Sequence, residues 1–377
     1  MRGRYLYKHM TFEDYQKLLP LKYYDFKYDL QMYPDAIIYI VISSRGRGKT
    51  YSALKYSSEH NIPIIYMKRT NDDVAFICRE TIDGLDTSPY VPINRDLGTD
   101  IRAKLIDNGI GGFWKYEPDE NNKPTPEGLP IAYALSLNAI KRVKGFDASR
   151  CDWILLDEFI PQIGERVLRS EGELLLDVYM TVSRDREKRG KDHLKLILFA
   201  NAEDISTPIT NTLEVVDQIA DLYASGASHY YDPERKIMIH HILESEVPLV
   251  DAERSGIFAT MANTTWGAKS FGGEFAKNDF SNVCRNNLKG YRGYVQLHYK
   301  THDYYVYINE AGLFYVSRSP TRCPVSYNLN RETEQKAFYT EYAIDLRIAT
   351  IEDRVKFQSY TMYDLIMNYS KIFNIGR

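Results

Sequence analysis

The chain has 377 residues, 44% of them hydrophobic and 26% charged, a balance that excludes a disordered or fibrous protein. Its length exceeds the roughly 250–300 residues that one hydrophobic core usually supports, so we expect two domains. The net charge of -3 and the pI near 6.3 exclude a global basic field, so any binding of nucleic acid has to use a local cluster of cations.

Two further features bear on the cellular compartment. The apolar run 36–42 is far shorter than the roughly 20 residues of a membrane-spanning helix, and the basic N-terminus lacks the apolar centre of a secretory signal. The widely spaced cysteines form no CxxC pair, which predicts reduced structural thiols rather than a metal site or a disulfide framework. We therefore expect a cytoplasmic protein without a membrane partner. The cysteines are Cys78, Cys151, Cys284 and Cys323.

The first part of the chain alternates strand and helix patterns. The strand segments are short, apolar and rich in β-branched residues, and Gly-rich or polar turns bound them, as is typical of buried parallel strands. We therefore expect residues 1–207 to form an α/β domain with a mostly parallel sheet between helices. The predicted strands cover 37–42, 62–67, 153–156 and 194–199, and the predicted helices cover 50–60 and 164–181.

The pattern changes after residue 207. Helix signals thin out, and glycines punctuate a polar, aromatic stretch, so residues 208–288 are interpreted as a linker or lid. Three alternating runs over 293–316, the last two joined by a turn at 309–312, predict an antiparallel meander. Helical periodicity follows, and a small α+β domain over 289–377 results. Its helical core candidates are Ile344, Ile348, Leu365 and Ile366.

A phosphate-binding loop is predicted between the first strand and the first helix of the α/β domain. The segment matches the Walker A pattern except that Ser43 replaces the first glycine. Backbone N–H groups of such a loop face the phosphates, Lys49 bridges the β and γ oxygens, and the Thr50 hydroxyl ligates Mg²⁺. The alternative is a turn that contains Gly-Lys-Thr by chance. The residues expected to bind ATP and Mg²⁺ are Ser43, Ser44, Arg45, Gly46, Arg47, Gly48, Lys49 and Thr50.

The apolar strand that begins at Trp153 ends in two carboxylates, as a Walker B strand does. Asp157 is expected in the Mg²⁺ shell, and Glu158 is expected to polarise the attacking water. Carboxylates at a strand end can instead cap a helix, which is the alternative for this pair taken alone. With no NKxD-type guanine signature in the chain, Glu158 favours an ATPase over a GTPase.

Other polar residues flank these motifs. Asn201 follows the strand predicted at 194–199, where it either senses the γ-phosphate and the attacking water or caps the next turn. The basic groups near the Walker B strand are either solvated faces or, in a ring ATPase, the source of a trans-acting finger. These groups are Lys141, Arg142 and Lys144 before the strand, and Arg184, Arg186, Lys188 and Arg189 after it.

Together these motifs resemble those of terminase large subunits, the motors that pump DNA into phage capsids. The shared features are an arginine inside the Walker A loop, a Lys-Gly pair shortly before Walker B, and a short coupling motif at the end of the next strand. The chain is most similar to the compact DNA-encapsidation ATPases of small podoviruses, over most of residues 35–205. The similar segments are 41–50, 65–69, 155–159 and 181–187.

The resemblance implies a P-loop NTPase fold of the ASCE type and roles for individual residues. Arg184 corresponds to the trans-acting arginine finger, Lys144 to a second trans-acting basic residue at the subunit interface, and Asn201 to the coupling motif. The implied assembly is a homo-oligomeric ring, a pentamer in the family, which works in the host cell cytoplasm at the portal vertex of an empty procapsid. It translocates double-stranded DNA, in some members with a structural packaging RNA.

The meander over 293–316 resembles the start of the RNase H-like nuclease domain of terminases. In that domain the first strand carries a metal-binding aspartate, but the corresponding run here, 294–300, has no carboxylate. A two-metal nuclease needs clustered carboxylates, so we expect a vestigial domain without nuclease activity.

Two other functions remain open from the sequence. A helicase or recombination ATPase shares the Walker motifs, although helicase-type motifs are missing after Asn201 and the C-terminal domain is short. In a non-motor P-loop kinase or scaffold, Glu158 would have no hydrolytic role. DNA-stimulated ATP hydrolysis without strand separation distinguishes the motor from both.

Overall fold

The structure, a computed structural model, divides into two compact units. The first unit comprises Met1–Leu213 and Ser225–Ala276, and the second comprises Glu214–Ala224 and Lys277–Arg377. None of the described helices is long and apolar enough to cross a membrane. The residues that the structure describes are 10–79, 86–142, 148–161, 165, 167–248, 257–261, 264 and 278–375.

The first unit is built on a sheet of ten described strands, in the order β3-β4-β6-β2-β7-β8-β1-β10-β9, with β5 paired to β4. Neighbouring strands from β6 to β10 along this order are parallel, and they are buried along most of their length. Parallel strands of this kind need cover on both faces of the sheet, which explains their continuous apolar sequences. The predicted α/β class with a mostly parallel sheet is confirmed.

The bounds of these elements lie within a few residues of the predicted ones, apart from the start of the helix predicted at 164–181. The strands are β1 Ile38–Ser43, β2 Ile64–Lys68, β3 Ile101–Asp107, β4 Ile110–Pro118, β5 Pro124–Pro126, β6 Ala132–Ser136, β7 Trp153–Asp157, β8 Lys195–Asn201, β9 His229–Asp232 and β10 Ile237–His241. The helices are α1 Phe12–Gln16, α2 Phe26–Met32, α3 Lys49–Glu59, α4 Asn71–Ile77, α5 Val91–Leu97, α6 Glu171–Ser183, α7 Pro208–Thr212 and a short helix Ile257–Met261. Short 3₁₀ turns cover Leu137–Arg142 and Glu187–Arg189.

One edge of the sheet is antiparallel, which the sequence analysis did not predict. Strands β3 and β4 form a hairpin in which Asp107 pairs with Ile110, and β4 pairs antiparallel with both β5 and β6. The turn consists of Asn108 and Gly109, and Gly109 has a left-handed φ of 76°. An Asn-Gly pair between alternating runs is a strong hairpin signal, so this hairpin could be predicted from the sequence.

The segment 208–288, interpreted as a linker or lid, contributes two strands to the same sheet. Strand β10 lies parallel to β1, with Ile38 opposite Ile237, and β9 pairs antiparallel with β10. The apolar pattern of β10 is interrupted by His240 and His241, which concealed a strand whose residues are all buried. Within the rest of the predicted lid, residues 249–256, 262–263 and 265–277 lie outside the described residues.

The N-terminal segment packs into the core of the first unit beside the predicted phosphate-binding loop. The ring of Phe26 makes edge-on contacts with Tyr39, Trp153 and Phe199, at centroid distances of 5.5 to 5.7 Å. Just before it, the backbone N–H of Tyr24 donates a hydrogen bond to the carbonyl of Arg47 at 3.0 Å. Residues before the first strand therefore help to position the loop.

The second unit contains a five-stranded sheet in the order β14-β11-β12-β13-β15. Strands β11, β12 and β13 form the antiparallel meander predicted over 293–316, while β14 lies parallel to β11 and β15 parallel to β13. The strands are β11 Tyr291–Tyr299, β12 His302–Asn309, β13 Phe314–Ser317, β14 Val325–Asn328 and β15 Val355–Phe357. The helices are α8 Val216–Ser225, Glu332–Phe338, Ile344–Ile351, Tyr360–Met367 and Tyr369–Phe373, with a π-helical turn at Tyr339–Ala343.

Two of the four predicted helical core residues were wrong. Ile344 and Ile348 are 42% and 48% exposed, whereas Leu346 is buried on the opposite side of the same helix. The helix carries apolar residues on both faces. It follows a π-helical turn, which changes the rotation of the helix about its axis relative to a regular α-helix. The spacing of the apolar residues alone therefore did not identify the buried face. The other two, Leu365 and Ile366, are buried as predicted.

Candidate nucleotide site

The predicted phosphate-binding loop connects the end of β1 to the start of α3. Gly46 and Gly48 adopt left-handed φ values of 78° and 86°, which a residue with a Cβ rarely does, and Gly48 caps the helix. The first N–H groups of α3 have no intrahelical partners, and they lie at the positive end of the helix dipole. A helix N-terminus reached by a glycine-rich turn is a favourable place for a phosphate.

The loop borders a cavity of about 300 Å³ that brings three predicted segments together. The cavity is lined by residues 45–51, by Asp157 and Glu158 at the end of β7, and by Ala200 and Asn201 at the end of β8. Strand β8 lies between β1 and β7, and all three are parallel, so their carboxyl ends meet at one edge of the sheet. This strand order explains why segments so distant in sequence converge.

Lys49 is buried and points along the inside of the loop. Its ammonium donates to Ser43 Oγ at 2.5 Å, and to the Ser44 carbonyl and Asn201 Oδ1 at 3.3 Å each. Burial lowers the pKa of Lys49 to about 8, although the nearby Asp157 carboxylate opposes the shift. Because its hydrogen-bond partners are neutral oxygens, an anion in the cavity would stabilise the charged form. The shortest of these contacts is with Ser43, the residue that departs from the Walker A pattern.

Asp157 is held by three partners from two elements, α3 and β2. Its Oδ1 accepts a hydrogen bond from Thr50 Oγ1 at 2.9 Å, and its Oδ2 accepts from Tyr66 and from the Lys68 ammonium, each at 2.9 Å. Burial alone would raise the pKa of Asp157, but Lys68 and these hydrogen bonds hold it below its usual value. Asp157 is therefore ionised at neutral pH.

The pair formed by Thr50 and Asp157 fits a Mg²⁺ ion. Adjacent oxygen ligands of an octahedral Mg²⁺ at 2.0–2.1 Å are about 2.9 Å from each other. The oxygens Thr50 Oγ1 and Asp157 Oδ1 have this separation, and both residues line the cavity. Hydroxyl and carboxylate oxygens are also the donor types that Mg²⁺ prefers.

Glu158 adopts an unusual backbone conformation. Its φ of 58° lies in the left-handed region, which costs a residue with a side chain on the order of 1–3 kcal/mol and is concentrated at functional sites. The turn ends β7 and places Glu158 on the cavity wall, with its side chain 46% exposed. Its Oε2 lies 3.3 Å from the Lys68 ammonium, so one lysine contacts both carboxylates that the sequence singled out.

Lys68 and Tyr66 belong to the site, although the sequence analysis gave neither a role. Strand β2 lies next to β7 in parallel, with Met67 opposite Leu156, so the end of β2 reaches the same sheet edge. The segment 65–69 was visible as part of the family resemblance. What the sequence did not provide was the strand order that places it beside Asp157.

The two arginines of the loop differ in their surroundings. Arg45 is exposed and lines the cavity. The guanidinium of Arg47 is buried: it donates to Ser44 Oγ at 2.8 Å and Glu244 Oε2 at 2.5 Å, and it contacts the Val247 carbonyl. The side chain of Arg47 ties the loop to residues 244–247, so the prediction that Arg47 binds phosphate now concerns its backbone N–H.

The structure separates the candidates for a trans-acting finger. Arg186 is buried, and its guanidinium donates to Asp152 Oδ1 at 2.9 Å and to the Asp192 carbonyl at 3.0 Å, so it is engaged within its own subunit. Arg184, at the end of α6, is exposed and is not among the residues that line the cavity. Lys144 lies outside the described residues.

A Walker A loop and a Walker B strand with one strand between them, in a mostly parallel sheet, are the features of a P-loop NTPase fold. No protein-family model and no curated protein sequence matches the chain. Among solved structures, it is similar to the Phi-28 gp11 DNA packaging motor, with 16% identity, a TM-score of 0.59, and 94% of this chain and 99% of that chain covered. It is likewise similar to a chain of the bacteriophage Phi-29 viral genome packaging motor assembly, with 15% identity, a TM-score of 0.63, and coverage of 94% and 100%.

At these identities the similarity shows a shared fold, and it extends over nearly the whole length of both proteins. Both of these solved structures are described as packaging motors, the class that the sequence motifs resemble.

Proposed function

We propose that this protein is a motor ATPase that translocates double-stranded viral DNA into a preformed procapsid. The observation that carries the proposal is the convergence of Lys49, Thr50, Asp157, Glu158 and Asn201 on one cavity. The full-length fold similarity to proteins described as packaging motors supports the coupling of this site to DNA.

Different cavity residues would bind the phosphates and the Mg²⁺ ion. The backbone of the loop and the Lys49 ammonium bind the phosphates of ATP, while Thr50 and Asp157 would hold Mg²⁺. When bound, Mg²⁺ neutralises charge on the phosphates. The pKa shift of Lys49 and the ionised state of Asp157 suit these roles. Among the described residues the hydrogen-bond partners of Lys49 are neutral oxygens, and Asp157 offers an anionic oxygen ligand.

Hydrolysis then needs a general base, and a motor also needs a residue that responds to the state of the nucleotide. Glu158 orients a water molecule and accepts its proton as the water oxygen attacks the γ-phosphorus, and the bond to the β–γ bridging oxygen breaks, releasing ADP and inorganic phosphate. Asn201 shares a hydrogen bond with Lys49, so movement of the lysine toward phosphate removes a partner from the end of β8. This exchange gives Asn201 a means of reporting the nucleotide state.

We also propose that each site is completed by a neighbouring subunit in a homo-oligomeric ring, as the family resemblance implies. Arg184 is exposed at the end of α6, where it is available to a neighbour, and Lys144 is the second candidate. The ring, a pentamer by resemblance, would assemble on the portal of the procapsid, with or without a structural RNA. Stabilisation of transition-state charge by an arginine supplied in trans raises hydrolysis rates by orders of magnitude.

The test is steady-state ATP hydrolysis with and without double-stranded DNA. Wild type is compared with Glu158→Gln and Arg184→Ala, each alone and mixed, and with Lys188→Ala as a control that removes an exposed cation from the same loop. Each single variant is expected to lose most activity. The mixture is expected to regain it, because an intact Glu158 in one subunit meets an intact Arg184 from its neighbour.

Other outcomes would change the conclusion. Failure of the mixture to regain activity would place Arg184 outside the neighbour's site. DNA-strand separation during hydrolysis would favour the helicase alternative. If wild type hydrolyses no ATP with DNA alone, a packaging assay with procapsids decides whether the portal is needed for assembly or the motor function is wrong.

A further inference from the structure

A buried group of ionisable side chains lies apart from the nucleotide cavity and has no role in the proposed hydrolysis. We call it the histidine–carboxylate cluster: it consists of Asp29 on α2, His229 on β9, His240 on β10 and Glu246 in the loop after β10. Asp29 and His240 are 0% exposed, and the side chains of His229 and Glu246 are almost completely buried. Burying so many ionisable groups without a compensating interaction is costly, so their function needs an explanation.

The donor atoms of three members converge on one point. His240 Nδ1 and His229 Nε2 lie 3.1 and 3.4 Å from the same carboxylate oxygen, Asp29 Oδ1. One ligand atom from each of Asp29, His229 and His240 lies within 4.8 Å of the others. Among the described residues the buried His229 Nε2 has no hydrogen-bond partner, and it lies 3.4 Å from Asp29 Oδ1.

We propose that Asp29, His229 and His240 bind a divalent transition-metal ion, with zinc as the expected ion. Ligands of a tetrahedral Zn²⁺ at 2.0–2.1 Å are about 3.3 Å apart, and the separations of 3.1 and 3.4 Å from Asp29 Oδ1 are close to this value. Two imidazoles and one carboxylate are a donor set that zinc favours, with a water as fourth ligand. The cation would also neutralise the buried carboxylates.

The surrounding residues suit metal-binding histidines. His229 Nδ1 lies 2.8 Å from Ser228 Oγ, and His240 Nε2 lies 3.3 Å from Glu246 Oε2. If each of these nitrogens carries the proton and donates it, the opposite ring nitrogens present lone pairs to the ion. Histidine ligands of metals usually donate their second N–H to an oxygen in this way, which fixes the ring orientation.

An ion at this position would brace the phosphate-binding loop. Tyr24 donates its hydroxyl to Asp29 at 2.5 Å and its backbone N–H to the Arg47 carbonyl at 3.0 Å. The loop that contains Glu246 also contains Glu244 and Val247, which hold the Arg47 guanidinium. The site would therefore join α2, β9 and β10 to the loop through two independent contacts.

The experiment measures metal in the full chain, purified without a histidine tag or chelators. Elemental analysis is expected to find about one zinc per chain, because three protein ligands define a single site. Chelation is expected to lower Tm by about 5–10 °C, and added ZnCl₂ to restore it, since an ion that binds only the folded state stabilises it. Replacement by Co²⁺ should give the visible absorption of a tetrahedral complex.

The variant His229→Gln removes one proposed ligand, and His60→Ala is the control that removes a histidine outside the proposed site. His229→Gln is expected to lose the ion, whereas His60→Ala, at an exposed histidine at the end of α3, should retain it. If His229→Gln does not fold, the wild-type titration still decides. Natively folded wild type that carries no zinc, and whose Tm does not respond to chelator or ZnCl₂, would overturn the proposal and leave a metal-free hydrogen-bonded network.

Discussion

The positive charge of Lys49 and its burial oppose each other in the absence of a ligand. The ammonium must be charged to bind phosphate, yet it is buried among the neutral oxygens of Ser43, Ser44 and Asn201. Burial disfavours the charged form and lowers the pKa of the lysine to about 8, well below the ordinary lysine value. Raising the pH through 8 therefore removes a charge that the site needs, while it relieves the cost of burying that charge in the free protein.

This shift predicts that nucleotide affinity falls at alkaline pH. With a free-state pKa near 8, binding of ADP above that pH must return a proton to Lys49, so affinity should drop about tenfold between pH 7 and pH 9. Calorimetric titration at both values measures the drop. In Lys49→Arg the guanidinium stays charged, so any affinity that remains should not change between the two values. Equal wild-type affinity at pH 7 and pH 9 would contradict the prediction.

Among the elements, β2 and β7 are connected at their ends by a largely buried ion pair. Lys68 and Asp157 are only 12% and 13% exposed, and the same lysine reaches Glu158. Asp157 and Glu158 repel each other when both are ionised, and Lys68 offsets that repulsion. Among the described residues, removing the lysine leaves Asp157 with hydroxyl partners but no cation, so its buried charge is uncompensated.

We predict that Lys68→Met lowers the free energy of unfolding by about 3 kcal/mol. Urea denaturation measures this, with Lys55→Met as the matched control, because Lys55 pairs with Glu59 at a partly exposed site where a salt bridge contributes about 0.5 kcal/mol or less. The double variant Lys68→Met, Asp157→Asn should cost less than the sum of the single changes, since the unpaired charge is gone. Equal losses in the Lys68 and Lys55 variants would be evidence against the pair.

At this scale the sequence predicted the elements better than their arrangement. The phosphate-binding loop and the Walker B strand are contiguous motifs, so their positions were legible without knowing the fold. Lys68, by contrast, acquires a partner only through the pairing of β2 with β7. In the same way Asp29 meets His240 across 211 positions of sequence, through a strand whose apolar pattern those histidines interrupt.

On the scale of the whole molecule, the four adjacent strands β2, β7, β8 and β1 of the first unit and the meander of the second were predicted, but the division between the units was not anticipated. The chain leaves the first unit at Glu214, returns at Ser225 and leaves again at Lys277. Local signals described residues 208–288 as a linker because pairing of β10 with β1 depends on contacts nearly 200 residues apart, which periodicity does not encode.

The net charge of the molecule limits how it can bind DNA. A chain of net charge -3 has no general attraction for DNA, so a translocating ring must grip phosphates with local cations and read no bases. We predict that the concentration of double-stranded DNA giving half-maximal stimulation of ATP hydrolysis rises about 10³-fold or more between 50 and 200 mM salt, as expected for six or more phosphate contacts.

The measurement uses two duplexes of equal length and unrelated sequence, with basal hydrolysis followed at each salt concentration as the control for the nucleotide site. Both duplexes should give the same curve, because phosphate contacts carry no sequence information. Stimulation that is insensitive to salt would contradict binding through phosphate contacts. Stimulation that differs between the duplexes would indicate recognition of bases, which a motor that must accept every sequence along a genome cannot use.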